Sequence, residues 1–183
     1  MKREFAGTCP KESQEPESNE DQSAFAEDCS RFALCDGASE SYNSRLWAKM
    51  LAEKFAANPA FGPKWLAEAL RDYIAGHDFE AMTWSQHAGF DRGSFSTLLG
   101  VEFDSERRTV DVLAIGDCVA VLVDGERFVE AWPFSDAERF KDPPTLLATK
   151  SEHNAFVSEL GFWTQSFKTF HLGALAAPRL VCM

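Results

Sequence analysis

Three short acidic segments are the part of this sequence in which residue types and spacing could do chemistry. They are Asn19-Glu20-Asp21, Asp36-Gly37 and Gly116-Asp117. Each segment alone is typical of an ordinary turn, because Asp and Gly are common turn residues. Together they would gather carboxylates that repel by several kcal/mol at about 4 Å unless a cation neutralises them. Carboxylate oxygens and a backbone carbonyl are ligands of Mg²⁺ or Mn²⁺, so the combination predicts metal-assisted phosphoryl chemistry.

A hairpin can bring the first two acidic segments together. Two short apolar runs, residues 24–26 and 31–35, flank a polar turn at residues 27–30, which is typical of two antiparallel strands. A hairpin centred on that turn places Asp21 opposite Asp36, with their Cα atoms about 5 Å apart. The sequence therefore predicts two carboxylates at one open end of a hairpin.

The remaining pattern predicts helices that cover a sheet of antiparallel strands. Apolar residues recur at helical spacing over residues 46–55 and again over 65–74, after Pro63. Strands are predicted over residues 94–103, 109–115, 118–123 and 127–131, followed by a helix near 152–160 and strands near 166–172 and 179–183. In an up-and-down order the turns alternate between two ends. That order places Gly116-Asp117 at the end where Asp21 and Asp36 lie.

Four motifs resemble, in order and spacing, those of the metal-dependent serine/threonine protein phosphatases of type 2C. The motifs are Asn19-Glu20-Asp21-Gln22-Ser23-Ala24-Phe25, Phe32-Ala33-Leu34-Cys35-Asp36-Gly37, Gly93-Ser94-Phe95-Ser96-Thr97 and Gly116-Asp117-Cys118. The segment that ends in Glu130-Ala131-Trp132-Pro133 looks like the one that follows the last motif in bacterial members. The resemblance implies an α+β fold, a four-layer α-β-β-α sandwich of two antiparallel sheets flanked by helix pairs. It also implies hydrolysis of phosphoserine or phosphothreonine in a phosphoprotein substrate.

For the site, the resemblance implies a binuclear Mn²⁺ or Mg²⁺ centre and hydrolysis by a metal-activated water. Glu20 and Asp36 would ligate metal, with Asp36 bridging both ions and the Gly37 carbonyl completing one site. Asp21 would hold a water molecule on the metal, so Asp21 and Asp36 are the predicted catalytic residues. Asp117 would contact the metal cluster, through water or a further ion.

The sequence departs from the family pattern at three places. Pro16 stands where the family often has a phosphate-binding arginine, which leaves Lys11 as the candidate phosphate contact. Ala38 stands where animal members have a histidine, so the leaving alkoxide would take its proton from water. The sequence ends at Met183, before a Thr-Asp pair that supplies a further metal carboxylate in the family, so we expect a domain that lacks its C-terminal elements. The alternatives are a catalytically inactive phosphatase-like module that binds a protein partner, and a piece of a longer enzyme.

Composition argues against several other classes of protein. The 183 residues carry 18 Lys and Arg against 29 Asp and Glu, a net charge of −11, with no basic block. A nucleic acid or an anionic membrane is therefore not an expected partner. No apolar stretch approaches the ~20 residues of a bilayer span, and residues 1–19 lack the apolar region of a secretory signal. We expect a cytoplasmic protein, with its five cysteines reduced.

The chain divides at residue 19. Residues 1–19 are rich in Pro, Ser and charged residues, which cannot supply a core, and are expected to form a flexible N-terminal arm. Residues 20–183 are expected to form the phosphatase-like domain, incomplete at its C-terminus. A missing central strand would leave a sheet edge able to pair with another copy of the chain, so a homodimer is a further prediction.

Overall fold

A computed structural model describes Lys2 and residues 4–8 and 18–183. The helices are α1 (Ser44–Ala57), α2 (Pro63–Ala75), α3 (Trp84–Arg92) and α4 (Phe162–Ser166), with 3₁₀ helices at Ala137–Lys141 and Ser151–Ser158. The strands are β1 (Asp21–Phe25), β2 (Arg31–Asp36), β3 (Phe95–Ser96), β4 (Leu98–Asp104), β5 (Thr109–Ile115), β6 (Ala120–Asp124), β7 (Arg127–Trp132), β8 (Leu147–Ala148), β9 (Phe167–His171) and β10 (Pro178–Cys182). The predicted α+β class with antiparallel sheets is confirmed.

Two antiparallel sheets pack against each other. The larger has the strand order β1-β2-β4-β5-β9 and the smaller has the order β10-β6-β7, while β3 and β8 form a separate two-stranded ladder. The expected up-and-down order is wrong between β5 and β6, because β5 pairs with β9 and β6 belongs to the other sheet. The Gly116-Asp117 segment is therefore a crossing between sheets.

The larger sheet is buried on both faces, which explains the continuous apolar runs of its central strands. In β4, Leu98 belongs to the apolar cluster under α1 and α2, whereas Leu99 belongs to the cluster between the two sheets. The described residues thus supply a helix layer and two sheet layers. The outer face of the smaller sheet carries exposed Phe128 and Val181. The homodimer expected to form through a sheet edge stays a prediction.

Trp47 is a central contact of the helix layer, and its removal gives our first prediction. It is fully buried, lies edge-on to Tyr73 with ring centroids 5.5 Å apart, and donates its Nε1 hydrogen to the Leu147 carbonyl at 2.9 Å. Trp47→Ala is expected to lower the free energy of unfolding by about 3–5 kcal/mol, measured by urea denaturation. The control is Trp84→Ala, since Trp84 is 85% exposed and its loss should cost no more than about 0.5 kcal/mol. Equal losses in the two variants would contradict the assignment of Trp47 to the core.

The observed elements differ from the predicted ones at three places. Helix α3 was not predicted, although Thr83 and Gln86 form a reciprocal capping box at its start. The predicted strand over residues 94–103 is interrupted at Thr97, so β3 pairs with β8 while β4 joins the larger sheet. The predicted helix near residues 152–160 is the 3₁₀ helix Ser151–Ser158.

The N-terminal arm is only partly covered by the structure. Among residues 1–19 the structure describes Lys2, 4–8, 18 and 19, so the predicted flexibility and the domain boundary at residue 19 stay predictions. In the described part of the chain no helix is both long enough and apolar enough to cross a bilayer.

Candidate active site

The hairpin β1-β2 has the predicted register and places two carboxylates opposite each other. Asp21 is the Cα partner of Asp36, at the end of the ladder away from the turn. Directly paired residues of an antiparallel ladder project their side chains from the same face. Both residues are exposed, so the hairpin presents a pair of carboxylates at its open end.

Glu20 is held by the start of α1. Its Oε1 accepts a hydrogen bond of 2.7 Å from the Ser44 hydroxyl, and its backbone carbonyl accepts one of 3.3 Å from the Gly37 N–H. A Cβ at position 37 would lie 2.8 Å from the Ser44 backbone carbon, so only glycine allows α1 to approach this closely. Glu20 therefore lies beside the hairpin end with its carboxylate bonded to α1.

Thr97 fixes the backbone of Asp36 from the neighbouring segment. The Asp36 N–H donates to Thr97 Oγ1 at 2.8 Å, and the Thr97 N–H donates to the Asp36 carbonyl at 2.9 Å. Thr97 is 4% exposed, so these two bonds are shielded from water. Thr97, at the break between β3 and β4, thus holds the Asp36 backbone through two hydrogen bonds.

The crossing segment Gly116-Asp117 packs against the same threonine. Gly116 has a φ of +99°, and a Cβ at that position would lie 2.7 Å from Thr97 Cγ2. Both facts require glycine. Asp117 is exposed, and its charge and that of Asp36 each help to raise the pKa of the buried Cys118 thiol, after the larger effect of burial. The Gly116-Asp117 crossing is therefore packed against Thr97, the residue that also binds the Asp36 backbone.

The structure brings some of the predicted site residues together and not others. Asp21 pairs with Asp36, and Thr97 connects Asp36 to the Gly116-Asp117 crossing. Within residues 4–8 and 18–183, no three His, Cys, Asp or Glu side chains are grouped so that they could hold one metal ion. The candidate ligands, the half-buried carboxylate of Glu20 and the exposed carboxylates of Asp21, Asp36 and Asp117, have the oxygen chemistry of Mg²⁺ and Mn²⁺ sites. Lys11, like Pro16, lies outside the described residues.

Two threonines beside the carboxylates were not predicted as site residues. Thr97 was expected only as part of a strand start. Thr8 donates its hydroxyl to Asp21 Oδ2 at 2.7 Å and accepts a hydrogen bond of 2.9 Å from Asn19 Nδ2. Both contacts join residues that are distant in sequence, and no local motif gives a signal for them.

Buried thiols near the site make the stability of the fold depend on pH. Burial raises the pKa of the Cys118 and Cys182 thiols from 9.0 to about 12, and burial likewise raises the pKa of the Tyr73 hydroxyl from 10.0 to about 12. The unfolded chain therefore loses these protons at a lower pH than the folded chain, so stability falls as pH rises from 9.0 to about 12. We expect the midpoint of urea denaturation to decrease as the pH rises through that range, and to decrease less steeply in Cys118→Ala than in the unmodified protein. The same slope in both proteins would contradict the contribution of Cys118.

Comparison with known proteins finds likeness in solved structures. The chain is similar to the photosystem II phosphatase PBCP at 16% identity and a TM-score of 0.45, over 93% of this chain and 56% of that one. It is similar to the serine/threonine phosphatase Stp1 from Staphylococcus aureus at 16% identity and a TM-score of 0.40, over 90% of this chain and 65% of that one. It is also similar to the Mycobacterium tuberculosis serine/threonine phosphatase PstP/Ppp at 15% identity and a TM-score of 0.41, over 90% of this chain and 66% of that one. The chain thus spans less than two thirds of the first of these solved chains. No protein-family model and no curated protein matches it.

Proposed function

We propose that this chain carries the catalytic hairpin of a Mn²⁺- or Mg²⁺-dependent phosphoprotein phosphatase that acts on phosphoserine or phosphothreonine. The observation that carries the proposal is the pairing of Asp21 with Asp36 at the open end of β1-β2. The pairing brings together the acidic residues of two motifs that resemble those of type 2C phosphatases. Two like charges in direct register repel, and a divalent cation would relieve that repulsion.

The proposal gives each site residue a task. Asp36 and Asp117 would supply carboxylate oxygens, Gly37 would supply its backbone carbonyl, and Asp21 would hold a water molecule at the metal. Glu20 would join them by exchanging its bond with the Ser44 hydroxyl for a metal contact. A divalent cation in such a site lowers the pKa of water and neutralises charge on a phosphoryl group.

The phosphate and the leaving group set two further requirements. We propose Lys11 as the phosphate contact, since Pro16 cannot supply a charge. Ala38 follows Asp36-Gly37 and cannot donate a proton, so the departing Ser or Thr alkoxide would be protonated by solvent. The expected substrate is therefore a phosphoserine or phosphothreonine on an accessible protein segment.

Hydrolysis of a phosphothreonine peptide tests this function. We expect phosphate release that requires added Mn²⁺ or Mg²⁺ and stops when EDTA removes the cation. A matched peptide with unphosphorylated threonine is the control for contaminating phosphate. If the phosphopeptide binds in a calorimetric titration without turnover, the chain is a binding module and the catalytic proposal is wrong.

A further inference from the structure

A groove lies on the helix-covered face of the larger sheet, at the end opposite to the candidate active site. Its volume is about 120 Å³, and its walls include Phe61, Trp163 and Phe167, with Glu102 and Asp111 on the sheet. Glu102 is the Cα partner of Arg31, the first residue of β2, whereas Asp36 is the last. The groove therefore lies about 16 Å along the strand from Asp36, at ~3.3 Å per residue.

The two carboxylates of the groove are a second pair of like charges in direct register. Glu102 on β4 is the Cα partner of Asp111 on β5, and such a pair is destabilising when no cation compensates it. Thr169 donates its hydroxyl to Asp111 Oδ1 at 2.5 Å. No hydrogen bond or ion pair of the Glu102 side chain is found with any described residue.

The basic side chain directly across the ladder from Glu102 is engaged elsewhere. Arg31 lies next to Glu102 across the ladder, but its Nη1 donates to the Ala57 carbonyl at the end of α1, at 3.1 Å. Arg31 makes no ion pair with Glu102 or Asp111 within 4.0 Å in the described part of the protein. The groove thus holds two carboxylates, an exposed one on Glu102 and a half-buried one on Asp111, that form no ion pair with any described residue.

Aromatic rings stand beside these charges and are only half covered. Trp163 is 44% exposed and Phe167 is 40% exposed, with their ring centroids 6.3 Å apart in an edge-on arrangement. Trp163 is also edge-on to Phe61, with the ring centroids 6.3 Å apart. Among the described residues no Lys or Arg lies over the ring of Trp163 or Phe167. Half-exposed rings beside two carboxylates that form no ion pair with any described residue are suited to bind a cation.

We propose that this groove binds an arginine side chain presented by a protein partner. A guanidinium group stacks on aromatic faces and donates paired hydrogen bonds to carboxylates, and it is more weakly hydrated than the ammonium of lysine. The volume suits one side chain, since it is below the several hundred Å³ of a typical small-molecule pocket. The net charge of −11 favours approach of a basic segment. The groove is separate from Asp36, so this inference does not depend on phosphatase activity.

Calorimetric titration with short peptides tests the proposal. The probe is a glycine-flanked peptide with one central arginine, compared with the same peptide carrying glutamine. We expect the arginine peptide to bind about tenfold more tightly, and Glu102→Gln to remove about tenfold of that affinity. Glu106→Gln is the control, because Glu106 is exposed in the β4-β5 turn and its loss changes the net charge equally. Glu106→Gln should bind as the unmodified protein does.

A second pair of variants separates ring contact from folding. Trp163→Phe keeps an aromatic face and should retain most of the affinity, whereas Trp163→Leu should lose it. Urea midpoints are measured for each variant so that an unfolded protein is not mistaken for a loss of binding. Equal affinity for the arginine and glutamine peptides, or equal affinities of Glu102→Gln and Glu106→Gln, would overturn the proposal.

Discussion

Asp36→Asn is expected to reduce Mn²⁺-dependent hydrolysis of a phosphothreonine peptide by at least about 100-fold. The change removes one negative charge from the Asp21-Asp36 pair and keeps the size of the side chain. Removal of one electrostatic contact to a reacting group typically costs 10²–10³ in rate. The measurement is the initial rate at saturating Mn²⁺, together with the Mn²⁺ affinity from calorimetry, which should fall in the same variant.

The fold of this variant should survive, which makes the result interpretable. Thr97 binds the backbone N–H and carbonyl of residue 36, and asparagine keeps both groups. Glu106→Gln is a matched control, since it also removes one carboxylate from an exposed position, at the far end of the sheet. If Asp36→Asn and Glu106→Gln hydrolyse the peptide at equal rates, the assignment of Asp36 to the catalytic site is wrong.

The register of the first hairpin could be predicted from sequence because all its signals are local. A hairpin centred on the polar turn between two short apolar runs leaves one pairing, which places Asp21 opposite Asp36. The same logic failed at Gly116-Asp117, because a Gly-Asp segment looks the same whether it joins neighbours in one sheet or crosses to another. The partner of β5 is β9, more than fifty residues later, and pairing at that distance leaves no local signal.

The candidate site was predictable in residue type but not in side-chain direction. The sequence places Glu20 next to Asp21, yet neighbouring residues of an extended chain project to opposite faces. In the structure the Glu20 carboxylate is bonded to Ser44 of α1, a residue 24 positions later. The contacts of Thr97 with Asp36 and Gly116 likewise depend on how three separate segments pack. Such contacts follow from tertiary packing, which a single sequence does not display.

Thr97→Val is expected to weaken Mn²⁺ binding by about tenfold and to lower the hydrolysis rate with it, whereas Thr97→Ser should stay close to the unmodified protein. Valine keeps the shape but removes Oγ1, the acceptor for the Asp36 N–H. A shielded donor left without a partner costs about 1–3 kcal/mol, and we expect the backbone at Asp36 to shift from the position that its neighbours require. Loss of a group that orients a metal ligand typically costs 10–100-fold in affinity.

Amide hydrogen exchange distinguishes this positioning role from a general loss of stability. The Asp36 amide should exchange faster in Thr97→Val but not in Thr97→Ser, and this holds whether or not the protein is a phosphatase. Thr109→Val is the control, because Thr109 is also buried and begins the same strand that ends beside Gly116. If Thr97→Ser and Thr97→Val lose Mn²⁺ affinity equally, the bond from the Asp36 N–H to Thr97 Oγ1 does not set the affinity, because serine keeps that acceptor, and the positioning role is wrong. A loss of Mn²⁺ affinity in Thr97→Val but not in Thr97→Ser would show that the Thr97 hydroxyl positions Asp36.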